Sequence, residues 1–120
     1  MRSILIAAAA ASSLAGAARA DMSGLVGNTV VGVTPDKVTR RIQLHADGSY
    51  RITLSDGSVS TGTWSEDAGK LCYNRIDPPA PAGSPDPLCV QGFDGHKAGE
   101  AWSAPWRNGG TMSLTVVPGQ

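Results

Sequence analysis

The chain has 120 residues, with ten Lys and Arg balanced by ten Asp and Glu. That balance excludes the one-signed field by which a protein gathers nucleic acid or an anionic membrane surface. Six aromatic residues (three Trp, two Tyr, one Phe) and two cysteines fit one small domain that a crosslink would help noticeably.

Residues 1–20 read as a secretory signal peptide. Arg2 precedes an apolar run from Ile4 to Ala11, and Ala18, Arg19 and Ala20 give the small, any, small pattern cut by signal peptidase before Asp21. The apolar stretch is too short and too rich in Ser and Gly for a spanning helix, which needs about 20 mostly apolar residues. No cysteine follows the cleavage pattern, so the expected product is soluble, without stable membrane insertion. Loss of Arg2 and Arg19 leaves eight basic and ten acidic side chains, a charge of −2. Export also predicts an oxidising compartment, periplasmic or extracellular, in which Cys72 and Cys89 pair.

Residues 21–120 form a single all-β domain on this reading, because Gly and Pro recur too often for a long helix. Asp47-Gly48, Asp56-Gly57, Asp94-Gly95 and Asn108-Gly109-Gly110 are turn signals at hairpin spacing. For the first, a three-residue loop pairs Leu44 with Tyr50, Ile42 with Ile52 and Arg40 with Leu54. Its opposite face then pairs Arg41, Gln43 and His45 with Thr53, Arg51 and Ser49. Only this register gives one apolar and one polar face, with Gly48 in the left-handed position of a G1 bulge. At Asp56 two registers remain: a two-residue loop pairs Leu54 with Val59, and a longer one brings Trp64 to the face of Tyr50. After the turn Glu66 to Gly69, pairing Trp64 with Leu71 sets Gly62 opposite Tyr73, whose ring then covers bare backbone.

Cys72 and Cys89 share a parity opposite to their apolar neighbours, so both thiols are expected on the outer face. The segment 73–88 between them has sixteen residues and five prolines. It is expected to be a stiff, exposed, disulfide-closed loop with polyproline character. Asp77, Pro78, Pro79, Pro81, Pro85, Asp86 and Pro87 are its candidate contact residues. Trp102 and Trp106 are a candidate aromatic platform, although large aromatics more often serve the core. Thr111 to Val117 reads as the last strand, stopped by Pro118. The core face draws on Val38, Ile42, Leu44, Tyr50, Ile52, Leu54, Leu71, Tyr73, Val90, Leu114 and Val116.

No catalytic, metal or cofactor signature emerges. A zinc site would need close ligand pairs, whereas Cys72 and Cys89 are far apart and His45 and His96 are singletons. No nucleophile elbow is present, and most Asp residues fall in turns. The succession Gly27-Asn28-Thr29, Asp47-Gly48, Gly62-Thr63-Trp64, Leu71-Cys72 and Cys89 resembles small exported bacterial β-domain proteins of uncharacterised function. That resemblance implies an exported β domain with paired cysteines. Gly62-Thr63-Trp64 is also similar to the Gly, any, Trp element of lipocalin-like barrels, where it belongs to the first strand rather than a central one. The combined expectation is an antiparallel meander of six to eight strands, forming a small closed barrel or strongly curled sheet. It serves as a non-enzymatic binding or structural module for an unknown protein or small-molecule partner. An exported protease inhibitor and a lipocalin-like carrier with a cavity lined by Tyr50 and Trp64 are the alternatives.

Overall fold

The computed structural model describes residues 21–106 and 109–120; residues 1–20, expected above to be a signal peptide, and Asn108 of the last turn signal lie outside them. Among the described residues eight strands occur: β1 (Thr29–Val33), β2 (Thr39–Leu44), β3 (Ser49–Leu54), β4 (Val59–Asp67), β5 (Lys70–Asp77), β6 (Leu88–Val90), β7 (Ala101–Pro105) and β8 (Thr111–Val117). They form one antiparallel sheet in the order β6-β5-β4-β3-β2-β1-β8-β7, curled into a half-barrel. No described helix is long and apolar enough to cross a membrane.

The β2–β3 hairpin has the expected register, with Leu44 opposite Tyr50, Ile42 opposite Ile52 and Arg40 opposite Leu54. Gly48 is in the left-handed region at φ 91°, as the bulge requires. The β3–β4 connection adopts the longer of the two alternatives. Thr53 faces Val59, and the Leu54 N–H donates to the Ser58 carbonyl across a loop of Ser55, Asp56 and Gly57. Trp64 accordingly shares the inner face with Tyr50. The two loops have one chemistry: the carboxylates of Asp47 and Asp56 each accept bonds from the backbone N–H and hydroxyl of the Ser two residues on. Those bonds hold both carboxyls below the usual Asp range. Each contribution is therefore present above the ordinary Asp pKa and is lost as pH falls through the lowered one.

The β4–β5 register departs from expectation by two residues. Trp64 faces Tyr73, and Glu66 faces Leu71. The reason is a tighter turn in which Ala68 (φ 52°) and Gly69 (φ 84°) are both left-handed, with Glu66 accepting from the Gly69 N–H. A separate one-residue register change, a bulge, lies between Thr61 and Gly62, and the ring over Gly62 is that of Tyr50, not Tyr73. Ala68 has no side-chain means of easing its conformation, whereas Asn tolerates it. Ala68→Asn should therefore raise unfolding stability by about 0.5–1 kcal/mol, read from urea midpoints at unchanged slope.

Asp94-Gly95 does not make a hairpin. Residues 91–100 instead cross between the two ends of the sheet, so β7 pairs with β8 rather than β6. This irregular segment carries Phe93 into the core, and the turn segment 21–28 contributes Met22 and Leu25. The two segments meet where Gly24 packs against the His96 backbone and the Gly95 N–H bonds to Asp21. Together they plug one end of the half-barrel. Val30, Ala104 and Met112 complete a core containing eight of the expected residues. Leu54 and Val90 are only partly buried, while Val38 lies in the β1–β2 turn beyond the ladder.

The Gly27-Asn28-Thr29 triplet has a structural role at the same end. Asn28 bonds Gly24 and Gly119 through its side-chain amide, Thr29 donates to the Gly119 carbonyl, and Gln120 reaches Asn28 and Leu44. These bonds fasten the two ends of the described chain across β1.

Candidate functional site

The inner face of β4 carries Trp64 at one end and small residues further along. There the inward positions opposite Ile52 and Tyr50 are Ser60 and Gly62. β2, beyond β3, and the neighbouring β5 place Arg40 and Arg75 at inward positions as well: Arg40 faces Leu54, and Arg75 faces Gly62. Small residues leave space, and long cations at its border keep water within reach, so the core cannot close over this region. Residues 78–87 roof it instead.

The result is an open cleft of about 600 Å³, with Tyr50, Ile52, Leu54, Tyr73 and Leu88 on the sheet side and Pro78, Pro81, Pro85 and Asp86 on the loop side. Arg75 ties down the root of the roof by donating from Nε to the Pro78 carbonyl at 2.7 Å. Arg40 lies over the Trp106 ring, 5.5 Å from its centroid, a cation–π contact that orients the guanidinium. Tyr50 and Tyr73 meet edge to face with centroids 5.0 Å apart.

The charges converge on Tyr50. Burial raises its phenol pKa, Arg75 and Arg40 pull it down, and Asp86 pushes it up. Tyr73 is more deeply enclosed, and burial drives its pKa far above the ordinary tyrosine value, with Arg40 opposing weakly. Its buried hydroxyl has no hydrogen-bond partner. A pKa raised in the folded state favours folding below the unfolded value of about 10 and is lost as pH rises beyond it. Stability should therefore fall by up to about 1.4 kcal/mol per pH unit above pH 10 for this group. Tyr73→Phe should reduce that slope to the share of Tyr50. At neutral pH it should gain on the order of 1 kcal/mol, since it removes an unpaired buried hydroxyl. Urea unfolding at pH 7 and pH 10.5 checks both signs.

The disulfide lies at the base of the roof. Cys72 on β5 and Cys89 on β6 are direct cross-strand partners with Cα atoms 4.0 Å apart. Their shared parity is as expected, but the thiols are not equally exposed. Cys72 is only 2% exposed because β4 and β6 flank it, whereas Cys89 sits exposed on the edge strand. The loop is also shorter than the cysteine spacing suggested. Residues 73–77 continue β5, Leu88 begins β6, and only 78–87 lie outside the ladder. Asp77 is thus a strand residue facing Thr61, while Pro78, Pro79, Pro81, Pro85, Asp86 and Pro87 form the exposed roof. The peptide bonds before Pro78 and Pro87 are both cis.

Trp102 and Trp106 do not form an exposed platform. Both are half-buried against the core, but each has different partners. Trp106 backs Arg40 at the cleft, whereas Trp102 stacks on His96 (3.6 Å, 8°) and meets Phe93 edge to face. Trp64 is not part of the cleft lining; its indole N–H donates to the His45 carbonyl at 2.9 Å.

Sequence reasoning missed Arg40, Ser60 and Arg75 as site residues. A signal for the first was present, because the favoured hairpin register put Arg40 on the apolar face. An arginine there requires an opening rather than a filled core. No protein-family model, curated protein or solved structure matches this chain.

Proposed function

We propose that the chain is an exported, non-enzymatic binding module that seats a small, largely apolar molecule in the cleft beneath its stapled Pro-rich loop. The observation that carries this reading is the cleft itself. Its volume of about 600 Å³ lies within the range of about 300–1,000 Å³ typical of small-molecule sites, and its lining is mostly apolar with a few convergent polar groups. A loop shortened by paired strands, rich in proline and closed by a disulfide loses little entropy when it packs on a ligand. The disulfide is compatible with an oxidising compartment, and with the leader pattern of residues 1–20 it supports periplasmic or secreted localisation.

The test uses a neutral apolar fluorophore, N-phenylnaphthylamine, with the oxidised protein. Its emission should rise and shift to the blue on binding. Replacing residues 79–85 by a Gly-Gly-Ser link, with Cys72 and Cys89 retained, should abolish that change while the β-sheet circular dichroism persists. Equal binding without the roof would contradict the reading.

A further inference from the structure

We propose that the free edge of β7 pairs antiparallel with the β7 edge of a second copy of this chain, joining two half-barrels into one continuous sheet. This goes beyond the reading of the cleft and does not rest on it.

β7 ends the sheet, with β8 on one side and no strand on the other among the described residues. The bonds at the two ends of the β7–β8 ladder, from the Val116 N–H to the Glu100 carbonyl and from the Trp106 N–H to the Gly110 carbonyl, fix which backbone groups are already used. In this register Trp102 and Ala104 exchange bonds with β8, so Ala101, Ser103 and Pro105 turn their backbone groups outward. All three are exposed, so the crossing segment 91–100 leaves this edge uncovered. The opposite edge offers less, because β6 has only three residues.

The edge is complementary to itself. Antiparallel pairing about Ser103 lets its N–H and carbonyl bond the carbonyl and N–H of the partner's Ser103, and it sets each Ala101 N–H on the partner's Pro105 carbonyl. Pro105 has no N–H to give, which ends the pairing there. On the inner face the same register puts Trp102 against the partner's Ala104, a large ring beside a small residue. Trp102 is half-buried in one copy, and this contact covers more of it.

The charge distribution points to a second copy as the occupant. A two-fold axis sets the residues near it beside their own images, so a charge there would meet its like. β1, β8 and β7 contain no charged residue, whereas β2, β3, β4 and β5 each contain at least one. Proteins that keep an edge single often place Lys along it. β7 has none, and its outward side chains are small enough for a second strand to approach.

The test is sedimentation equilibrium of the oxidised protein over a concentration series reaching about 0.1 mM, where a dimer should form. Ser103→Lys and Ser103→Glu, changes at an exposed position outside the core, should each raise the dimer dissociation constant about ten-fold by setting like charges face to face. An equimolar mixture of the two variants should restore the dimer, since opposite charges then meet. Amide exchange at Ser103 in the unsubstituted protein should slow as concentration rises, a readout that needs no variant. A monomer at every concentration, a species larger than a dimer, a Ser103→Lys protein that dimerises as well as the unsubstituted one, or a mixture that stays monomeric would overturn the proposal.

Discussion

Gly62→Ala should destabilise the protein by about 3 kcal/mol, the upper part of the usual range for overpacking. A Cβ at this position would lie 2.0 Å from the Asn74 carbonyl oxygen and 2.9 Å from the Tyr50 ring. The first neighbour is backbone inside the β4–β5 ladder and cannot rotate away, and the second is a floor residue of the cleft. The strands must therefore separate at the bulge, the point where β4 adjusts its register to β5. In a domain of about 100 residues this should lower the melting temperature by roughly 12–24 °C. The damage should also reach the cleft, so residual folded Gly62→Ala protein should bind the neutral fluorophore less well. Calorimetric unfolding combined with fluorophore titration checks both outcomes.

Removing the disulfide is the second large change. The Cys72→Ala, Cys89→Ala protein should lose about 3 kcal/mol, the value expected for a closed loop of this length. The loss has a local character as well. β6 is a three-residue edge strand held only by β5, and its register is carried by Leu71 with Val90, Cys72 with Cys89 and Tyr73 with Leu88. So short an edge has little hydrogen bonding of its own to resist fraying. Without the bridge the roof should detach before the sheet melts, and amide exchange should accelerate in residues 78–90 ahead of β1, β2 and β8. Uniform acceleration across the sheet would show that the bridge supports the whole fold rather than the roof.

The fold was most legible where turn chemistry and alternation agree. Asp47-Gly48-Ser49 lies between two runs that alternate cleanly, so only one loop length separates the faces, and that hairpin was fixed to the residue. Asp56-Gly57-Ser58 has the same loop chemistry, but Val59, Ser60, Thr61 and Gly62 do not alternate, so the register stayed open. Between β4 and β5 the turn Glu66 to Gly69 was expected, because pairing Trp64 with Leu71 sets Gly62 beneath the Tyr73 ring. The protein adopts the tighter turn at Ala68-Gly69, which sets Trp64 opposite Tyr73. Alternation along β5 is unaffected by a two-residue slip, which is why the inward face was still identified correctly.

The plug was not legible. Met22, Leu25 and Phe93 sit in irregular segments with no period, and their burial depends on Gly24 meeting the His96 backbone across the sheet. That is a contact between distant parts of the chain. The proline run was recognisable as a stiff loop, but not as a roof. Its placement follows from Ser60 and Gly62 leaving space on one strand, and Arg40 and Arg75 bordering it from two others. Only the assembled sheet brings those four residues together.

The central claim is that the cleft beneath residues 78–87 is the binding surface. Its most direct test is a nitrogen-resolved NMR titration of the oxidised protein with an apolar probe. The account predicts shifts concentrated on Arg40, Tyr50, Ile52, Ser60, Arg75 and the roof, with β7 and the plugged end unmoved. Shifts centred on Trp102 and His96, or spread evenly over the sheet, would contradict it.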